Sequence, residues 1–312
     1  MPDISFVVTF YNKSKFVSLV LNAIFSQKDI GVGEYIFVDD GSTDDTLALL
    51  HAHSEGHENV KIITQENAGP SLATNRGIAE ATAPYIKFCD GDDILHPRAT
   101  ALLLQGMKKL NTDMAYSQGE MVPVDSPKMQ APDTPVSDDA PTLLDNPLEI
   151  TLTYPLCNLT CVLASREAVN KAQGCDPRVF FQDVSFLVRM SQHTSFAALP
   201  QALNWCPAEA ENRGSDIGGG AQVLHDINLA HANLIADYPS IPNNLKVRAL
   251  QRATSRSWKW ARRRGGKSVF SKYFMRNVLA YILPHAGNTA MRIQATCDAF
   301  HEPEPVRVIP VS

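Results

Sequence analysis

Long apolar runs are missing from this 312-residue sequence. No stretch of 18 or more apolar residues occurs, so no helix built to cross a bilayer is expected. The N-terminus has no basic region followed by an apolar one and a cleavage site. Met1 to Phe10 runs directly into a strand pattern, so a cytoplasmic chain without a secretory leader is expected. Cysteine is sparse and unpatterned. Cys89, Cys157, Cys161, Cys175, Cys206 and Cys297 are scattered, which argues for reduced thiols rather than a disulfide framework. Cys157 and Cys161 form C-x3-C, but no second ligand pair follows at zinc spacing, and buried small apolar roles are expected. Glycine is absent from Thr9 to Lys15, after the first apolar run. A Gly-rich loop bearing Lys or Arg there would mark nucleotidyl transfer, so that alternative loses ground. Acidic residues are absent from Lys246 to Arg276, a stretch holding eleven Lys and Arg. The whole chain carries −5, so taking away those eleven positive charges leaves −16 on the rest.

What is present suits an α/β protein with a proper core: 44% of residues are hydrophobic and 20% charged. Ile4 to Phe10 is β-branched and aromatic and reads as a buried strand. A helix follows over 16–27, with Phe16, Leu19, Val20, Ala23 and Ile24 on one face and Asn12 or Ser14 as its expected cap. Strands are expected at 35–38, 60–64 and 85–89. Helices are expected at 45–52, capped by Ser42 or Thr43, and at 73–81. This alternation predicts a Rossmann-type, mainly parallel sheet flanked by helices. Beyond it the pattern predicts a helix to about 110 and a strand at 114–117. Residues 122–147 are Pro-, Asp- and Ser-rich and read as a long surface loop. Next come a strand at 161–164, helices at 166–172 and 181–191, and strands at 195–199 and 202–206. The Gly-rich stretch 211–220 reads as a closing loop, and helices are expected at 221–238, 243–264 and 267–283. The expected division is 1–110 and 111–215 as two halves of one domain, then 216–312 as a helical appendage.

Open α/β sheets bind ligands beyond the carboxyl ends of their strands. Three expected strands end in polar residues: Thr9 to Asn12, Asp39-Asp40, and Asp90-Gly91-Asp92-Asp93. Asp90 and Asp92, separated by a glycine on a turn, suit one hard cation with room for phosphate oxygens. Asp93 reads as the cap of the following helix.

Five blocks in order resemble family 2 glycosyltransferases, an inverting group with the fold called GT-A. They are Phe6 to Asn12, Phe37 to Thr46, Asn67 to Ser71, Asn75 to Gly77, and Tyr85 to Asp93. The resemblance weakens between 110 and 160, returns around Gly174 to Arg189 and fades after about 215. It implies that 1–110 binds a nucleotide sugar and 111–215 the acceptor. It further implies that Thr9, Tyr11 and Asp40 hold the base and ribose, with Asp39 the neighbouring candidate, and that Arg76 and Gly91 line the nucleotide side. A carboxylate can accept the imide N–H of a pyrimidine, so a UDP-sugar is expected. Asp90 and Asp92 resemble the pair that holds Mn2+ or Mg2+. Phe180 to Phe186 resembles the segment whose acid, here Asp183, deprotonates the acceptor hydroxyl. Gln182 stands where Glu is commoner. Arg213 is a candidate contact for the leaving diphosphate. Expected partners are a nucleoside-diphosphate sugar and a saccharide or lipid-linked saccharide. A non-enzymatic scaffold of the same fold is the remaining alternative, and the intact Asp90, Asp92 and Asp183 count against it.

In the tail, Trp258, Trp260, Phe270, Tyr273 and Phe274 are interleaved with Lys and Arg. Basic residues with aromatics on helices suit an anionic membrane surface, here through 246–276 on the inner face of a cell membrane, better than nucleic acid.

Overall fold

β1 (Ile4–Phe10) is buried on both faces except at Thr9, as befits the centre of a parallel sheet. The computed structural model describes residues 1–130, 135–137, 139–153, 155–208, 219–301 and 306–309. β2 (Gly33–Asp39), β3 (Val60–Thr64) and β4 (Tyr85–Asp90) run parallel to β1 in the order β3-β2-β1-β4. The crossovers are α1 (Val17–Phe25), α2 (Thr46–Ser54) and α3 (Pro70–Glu80). α1 buries Val17, Val20, Leu21 and Ile24, the spacing of one helical face.

The chain continues through β5 (Ile94–Leu95), α4 (Ala99–Leu110), β6 (Met114–Val122), α5 (Pro127–Gln130), β7 (Thr142–Leu144) and α6 (Pro147–Thr151). Then come β8 (Val162–Ser165), α7 (Arg166–Ala172), α8 (Gln182–Met190) and β9 (Phe196–Pro207). The sheet extends from β4 as β8-β6-β9-β5, with β7 also on β9. β8 is antiparallel to β4 and β6, and β6 is parallel to β9. A parallel N-terminal half with a mixed second half, flanked by helices, is the GT-A architecture that the sequence resemblance implied.

Two compact units form. The first comprises 1–147, 157–175 and 190–211; the second comprises 148–156, 176–189 and 212–312. The second holds α9 (Ala221–Asp237), α10 (Asn243–Arg263), α11 (Lys272–Ile282), α12 (Thr289–Gln294) and a 3-10 segment Ala295–His301. Leu148, Leu152, Val184 and Val188 share its core with Ile227, Leu234, Leu250 and Ile293. Segments well before residue 216 therefore pack with the C-terminal helices, because their apolar residues find partners there.

Several local expectations are corrected. The 122–147 stretch contains α5 and β7, and β7 is held by antiparallel pairing with β9. The two strands expected over 195–206 are one strand, β9. The third C-terminal helix begins at Lys272 rather than 267, capped by Ser271, whose side chain accepts from Phe274 N. Neither Asn12 nor Ser14 caps α1, whose N-cap is Phe16. The Asn12 side chain instead accepts from Thr43 N at 2.8 Å, tying the loop after β1 to the loop after β2. Ser42 and Thr43 do not cap α2, which starts after Asp45. The Asp44 carboxylate accepts from Thr46 N at 3.0 Å there. The closing loop expected over 211–220 lies outside the described residues as far as 218.

Candidate active site

Strand register gathers the first group of candidates. Thr9 stands opposite Val38 on one side and Asp90 on the other, and Phe10 stands opposite Asp39. Two backbone bonds tie the strand ends together: Asp40 N donates to Phe10 O at 2.8 Å, and Gly91 N donates to Thr9 O at 2.9 Å. A Cβ at Gly91 would lie 2.4 Å from Phe10 Cδ1 and 2.8 Å from Thr9 O, so the turn between the two aspartates needs glycine. Thr9, Asp39-Asp40 and Asp90-Gly91-Asp92 thus share one edge of the sheet. Tyr11 follows β1 and is 37% exposed.

The adjacent aspartates of β2 differ in their bonding. Asp40 is buried and accepts three bonds: Gln65 Nε2 at 2.7 Å and Ala68 N at 2.9 Å on Oδ1, and Gly69 N at 2.9 Å on Oδ2. It organises the 65–69 turn that enters α3. Asp39 is equally buried, and its Oδ2 accepts from Ser42 N at 3.2 Å. Its Oδ1 is buried with no hydrogen-bond partner among the described residues. A buried acceptor without a donor is costly, and a bound group with an N–H would satisfy it.

At the end of β4, Asp92 is nearly buried. Its Oδ2 lies 2.6 Å from Lys13 Nζ, and both side chains are 12% exposed. Sequence reading passed over Lys13, because its partner is 79 residues away. Asp90 is half-buried, and its backbone N donates to Thr160 Oγ1 at 2.9 Å. Asp93 does not cap α4, whose N-cap is Arg98. It is buried and accepts from Asn158 Nδ2 at 3.1 Å. Below them Lys87 is completely buried and donates to the carbonyl oxygens of Phe88, Thr160 and Val162. Burial pulls its pKa below the usual lysine range, with Cys89, Cys161 and Asp93 acting in the opposite direction. Cys161 is buried, with Sγ 3.1 Å from Asn204 Oδ1, while Cys157 is only half-buried.

No cluster of three or more His, Cys, Asp or Glu side chains able to hold an ion occurs among the described residues. Asp90 and Asp92 alone supply two hard carboxylate donors. That set fits Mg2+ or Mn2+ taking its remaining ligands from a diphosphate and water, and does not fit an ion caged by protein alone. Lys13 already neutralises one of the two carboxylates.

Arg76 is exposed on α3 and pairs with Glu80 at 3.3 Å, four residues on. Its neighbour Asn75 is the bonded residue of that block. Asn75 Nδ2 donates to Cys175 O at 2.9 Å, and Asn75 Oδ1 accepts from Cys175 N at 2.8 Å. Arg213 lies outside the described residues.

In the second unit, Asp183 is half-buried in the first turn of α8, and Gln182 beside it is buried. The start of that helix is anchored from α9. Asp226 Oδ2 accepts from Phe181 N at 3.0 Å. Asp226 Oδ1 meets Gln222 Nε2 at 3.0 Å and His225 Nδ1 at 2.8 Å. Gln222 in turn holds the backbone of Arg307, whose guanidinium sits 5.0 Å from the Phe180 ring centroid. Sequence reading missed Asp226 because nothing local distinguishes it from a surface helix acid.

A sheet of this topology, with carboxylates where β2 and β4 end, has the GT-A arrangement. The profile of "Glycosyl transferase family 2" matches residues 5–171, more than half of the chain, and the chain belongs to that family. The chain is 35% identical to chondroitin synthase from Escherichia coli over 109 residues, which are 35% of this chain and 16% of that protein. The chain thus spans a small part of that relative's length. Among solved structures it resembles S. aureus TarS 1-349 in complex with UDP-GlcNAc, with a TM-score of 0.66 at 17% identity, covering 96% of this chain and 83% of that one. It also resembles the mannosyltransferase PcManGT from Pyrobaculum calidifontis in complex with GDP-Man and Mn2+. There the TM-score is 0.55 at 17% identity, over 96% of this chain and 88% of that one. At such identities the likeness speaks for the fold.

Proposed function

We propose that this chain is an inverting glycosyltransferase. It moves a sugar from a nucleoside-diphosphate sugar, UDP-linked, to a hydroxyl of a glycan or lipid-linked saccharide in cell-surface polysaccharide synthesis, on the cytoplasmic side. The observation that carries the reading is the edge where β1, β2 and β4 end. It brings together Thr9, a buried Asp39 oxygen without a donor, and the Asp90-Gly91-Asp92 turn. A uracil imide N–H would satisfy Asp39 Oδ1, and Asp40 then serves by shaping the 65–69 turn. UDP-GlcNAc in the TarS complex supports a UDP-sugar.

Asp90 and Asp92 would hold Mn2+ or Mg2+, which neutralises the diphosphate as the leaving group gains charge. Lys13, already on Asp92, adds a second positive charge on that side. Asp183 takes the proton of the acceptor hydroxyl. The oxygen forms a bond to the anomeric carbon from the face opposite the diphosphate, and the carbon–oxygen bond to the diphosphate breaks. This role rests on the resemblance of Phe180 to Phe186 and on the place of Asp183 in the first turn of α8.

The test is a panel of sugar nucleotides scored by thermal stabilisation with Mn2+, followed by calorimetry on Asp92→Ala. The parent should gain stability with one UDP-sugar in the presence of metal, and Asp92→Ala should lose metal-dependent binding while remaining folded. Unchanged affinity in Asp92→Ala would remove the metal assignment.

A further inference from the structure

The tail reading placed aromatics and cations together at a surface, and the structure separates them. Trp260 and Tyr273 are buried, and Trp258 stacks edge-on with Phe274 at 5.1 Å between the helices. Trp258 with Phe274, and Tyr273 with Ala261, close the α10–α11 hairpin, while Trp260 packs against Phe300 and Ala221. Thr254 Oγ1 with Asn277 Oδ1 and Gln251 Nε2 with Ala280 O continue the contact along it. Arg256 is also structural. It donates to Asn228 Oδ1 at 2.8 Å and to Thr153 O at 3.0 Å, and burial lowers its pKa to about 10.

What remains outside is a different set of side chains. Val269 (51% exposed), Phe270 (91%), Met275 (48%), Leu279 (40%), Ile282 (68%) and Leu283 (53%) present apolar surface to solvent. Met275, Leu279 and Ile282 follow the i, i+4, i+7 spacing of one helical stripe. Arg252, Lys259, Arg262, Arg263 and Arg264 are exposed on the same hairpin, and none forms an ion pair among the described residues. No Asp or Glu occurs in the sequence between Asp237 and Asp298. The paired cations of this stretch are Arg248 with Glu149, and Lys272 and Arg276 with Asp298.

The end of α11 is closed from within. Arg292 donates to the carbonyl oxygens of Leu279, Leu283, Pro284 and Ala286 at 2.8–3.2 Å. Leu279 O and Leu283 O also accept from Leu283 N and Ala286 N, so Arg292 adds to bonds already made there and supplies a donor to Pro284 O and Ala286 O. The apolar end of the helix can thus enter a dehydrated environment with these carbonyls paired.

We propose that the α10–α11 hairpin is a docking face for an anionic phospholipid bilayer, with the Met275–Leu279–Ile282 stripe and Phe270 entering the interface and Arg252, Lys259 and Arg262 to Arg264 meeting lipid phosphates. Charge complementarity selects this occupant. A two-fold pairing of the same face on a second copy would press ten unneutralised cations together. Nucleic acid would leave the apolar stripe in water. Among the described residues no helix is long and apolar enough to cross a membrane, and the contact proposed is one of surface docking. The proposal adds a place of work to the glycosyltransferase reading and does not rest on it.

The test is co-sedimentation of the full chain with phosphatidylcholine vesicles and with vesicles that also contain phosphatidylglycerol, at low and high salt. The parent should bind only the anionic vesicles and be released by salt. Replacing Arg262, Arg263 and Arg264 together by Gln should weaken partitioning by about two orders of magnitude, at about fivefold per charge. The double variant Leu279→Ser with Ile282→Ser should also weaken it. Both variants should bind UDP as the parent does, which keeps loss of fold and failure of the nucleotide reading distinct from failure of this one. Equal binding to both vesicle types, no binding to either, parental binding by the Leu279/Ile282 variant, or a dimer that these substitutions dissolve would overturn the proposal.

Discussion

Lys13 Nζ sits 2.6 Å from Asp92 Oδ2, so the protein supplies its own cation to the carboxylate best placed to hold a metal. The pair is 12% exposed on each side, where water screens it poorly. A divalent ion reaching Asp92 must displace this ammonium or share the carboxylate with it. In Lys13→Met, Mn2+ alone should therefore bind at least about tenfold more tightly than to the parent, an electrostatic change of roughly 1.4 kcal/mol. Isothermal calorimetry without nucleotide measures this. Equal affinities would mean that the ion pair does not compete.

The neighbouring aspartates of β2 should separate by phenotype. Asp40→Ala removes the acceptor for Gln65 Nε2, Ala68 N and Gly69 N, leaving buried N–H groups unpaired. It should cost about 2 kcal/mol in denaturant unfolding. Asp39→Ala loses one weak bond to Ser42 N and an oxygen that has no partner, so it should leave stability nearly unchanged while weakening UDP binding. The reverse pattern would exchange the two roles.

Asp183→Asn keeps the size of the side chain and removes its basicity. Turnover should fall at least ~100-fold, within the range for loss of a general base, with donor affinity little changed. Single-turnover sugar transfer at the parental rate would move the base elsewhere.

The second unit should weaken in mild acid. His231 is fully buried, with Nε2 2.8 Å from Thr151 O and Nδ1 3.4 Å from Arg256 NH2. Burial first, then the Arg256 charge, lowers its pKa from 6.5 to about 3. Its folded pKa lies below its unfolded value, so between about 3 and 6.5 the unfolded chain binds the extra proton and stability rises with pH. This residue alone should remove about 2 kcal/mol between pH 7 and pH 5. Urea unfolding of the parent against His231→Gln should show that slope in the parent and its loss in the variant.

Much of the fold was legible in sequence because it depends on local periodicity. The alternation from Ile4 to Cys89 reports strands, with β1 buried on both faces, and helices buried on one, and the four parallel strands form where it put them. The Asp90-Gly91-Asp92 turn was legible too, from a glycine between two carboxylates after an apolar run, and the structure adds that Thr9 O and Phe10 leave no room for a side chain at its centre. Pairings across long separations were not legible. That Lys13 meets Asp92, that Lys87 is buried beneath Asp93, and that Asp226 carries the start of α8 are consequences of which elements come together. The same holds for the tail, where a helical pattern announced Trp260 and Tyr273 but not that they would face inward.

The sequence by itself determined the family, the order of elements and the carboxylate-bearing turns, since each is written in residues a few positions apart. The tertiary structure alone decided which aspartate of β2 keeps an acceptor oxygen open, which cation stands on Asp92 and which apolar residues of the C-terminal hairpin stay in solvent. The physical reason is that hydrogen-bond satisfaction and charge pairing are settled by the few side chains within reach in space, and parallel strands bring those together from far apart in the chain.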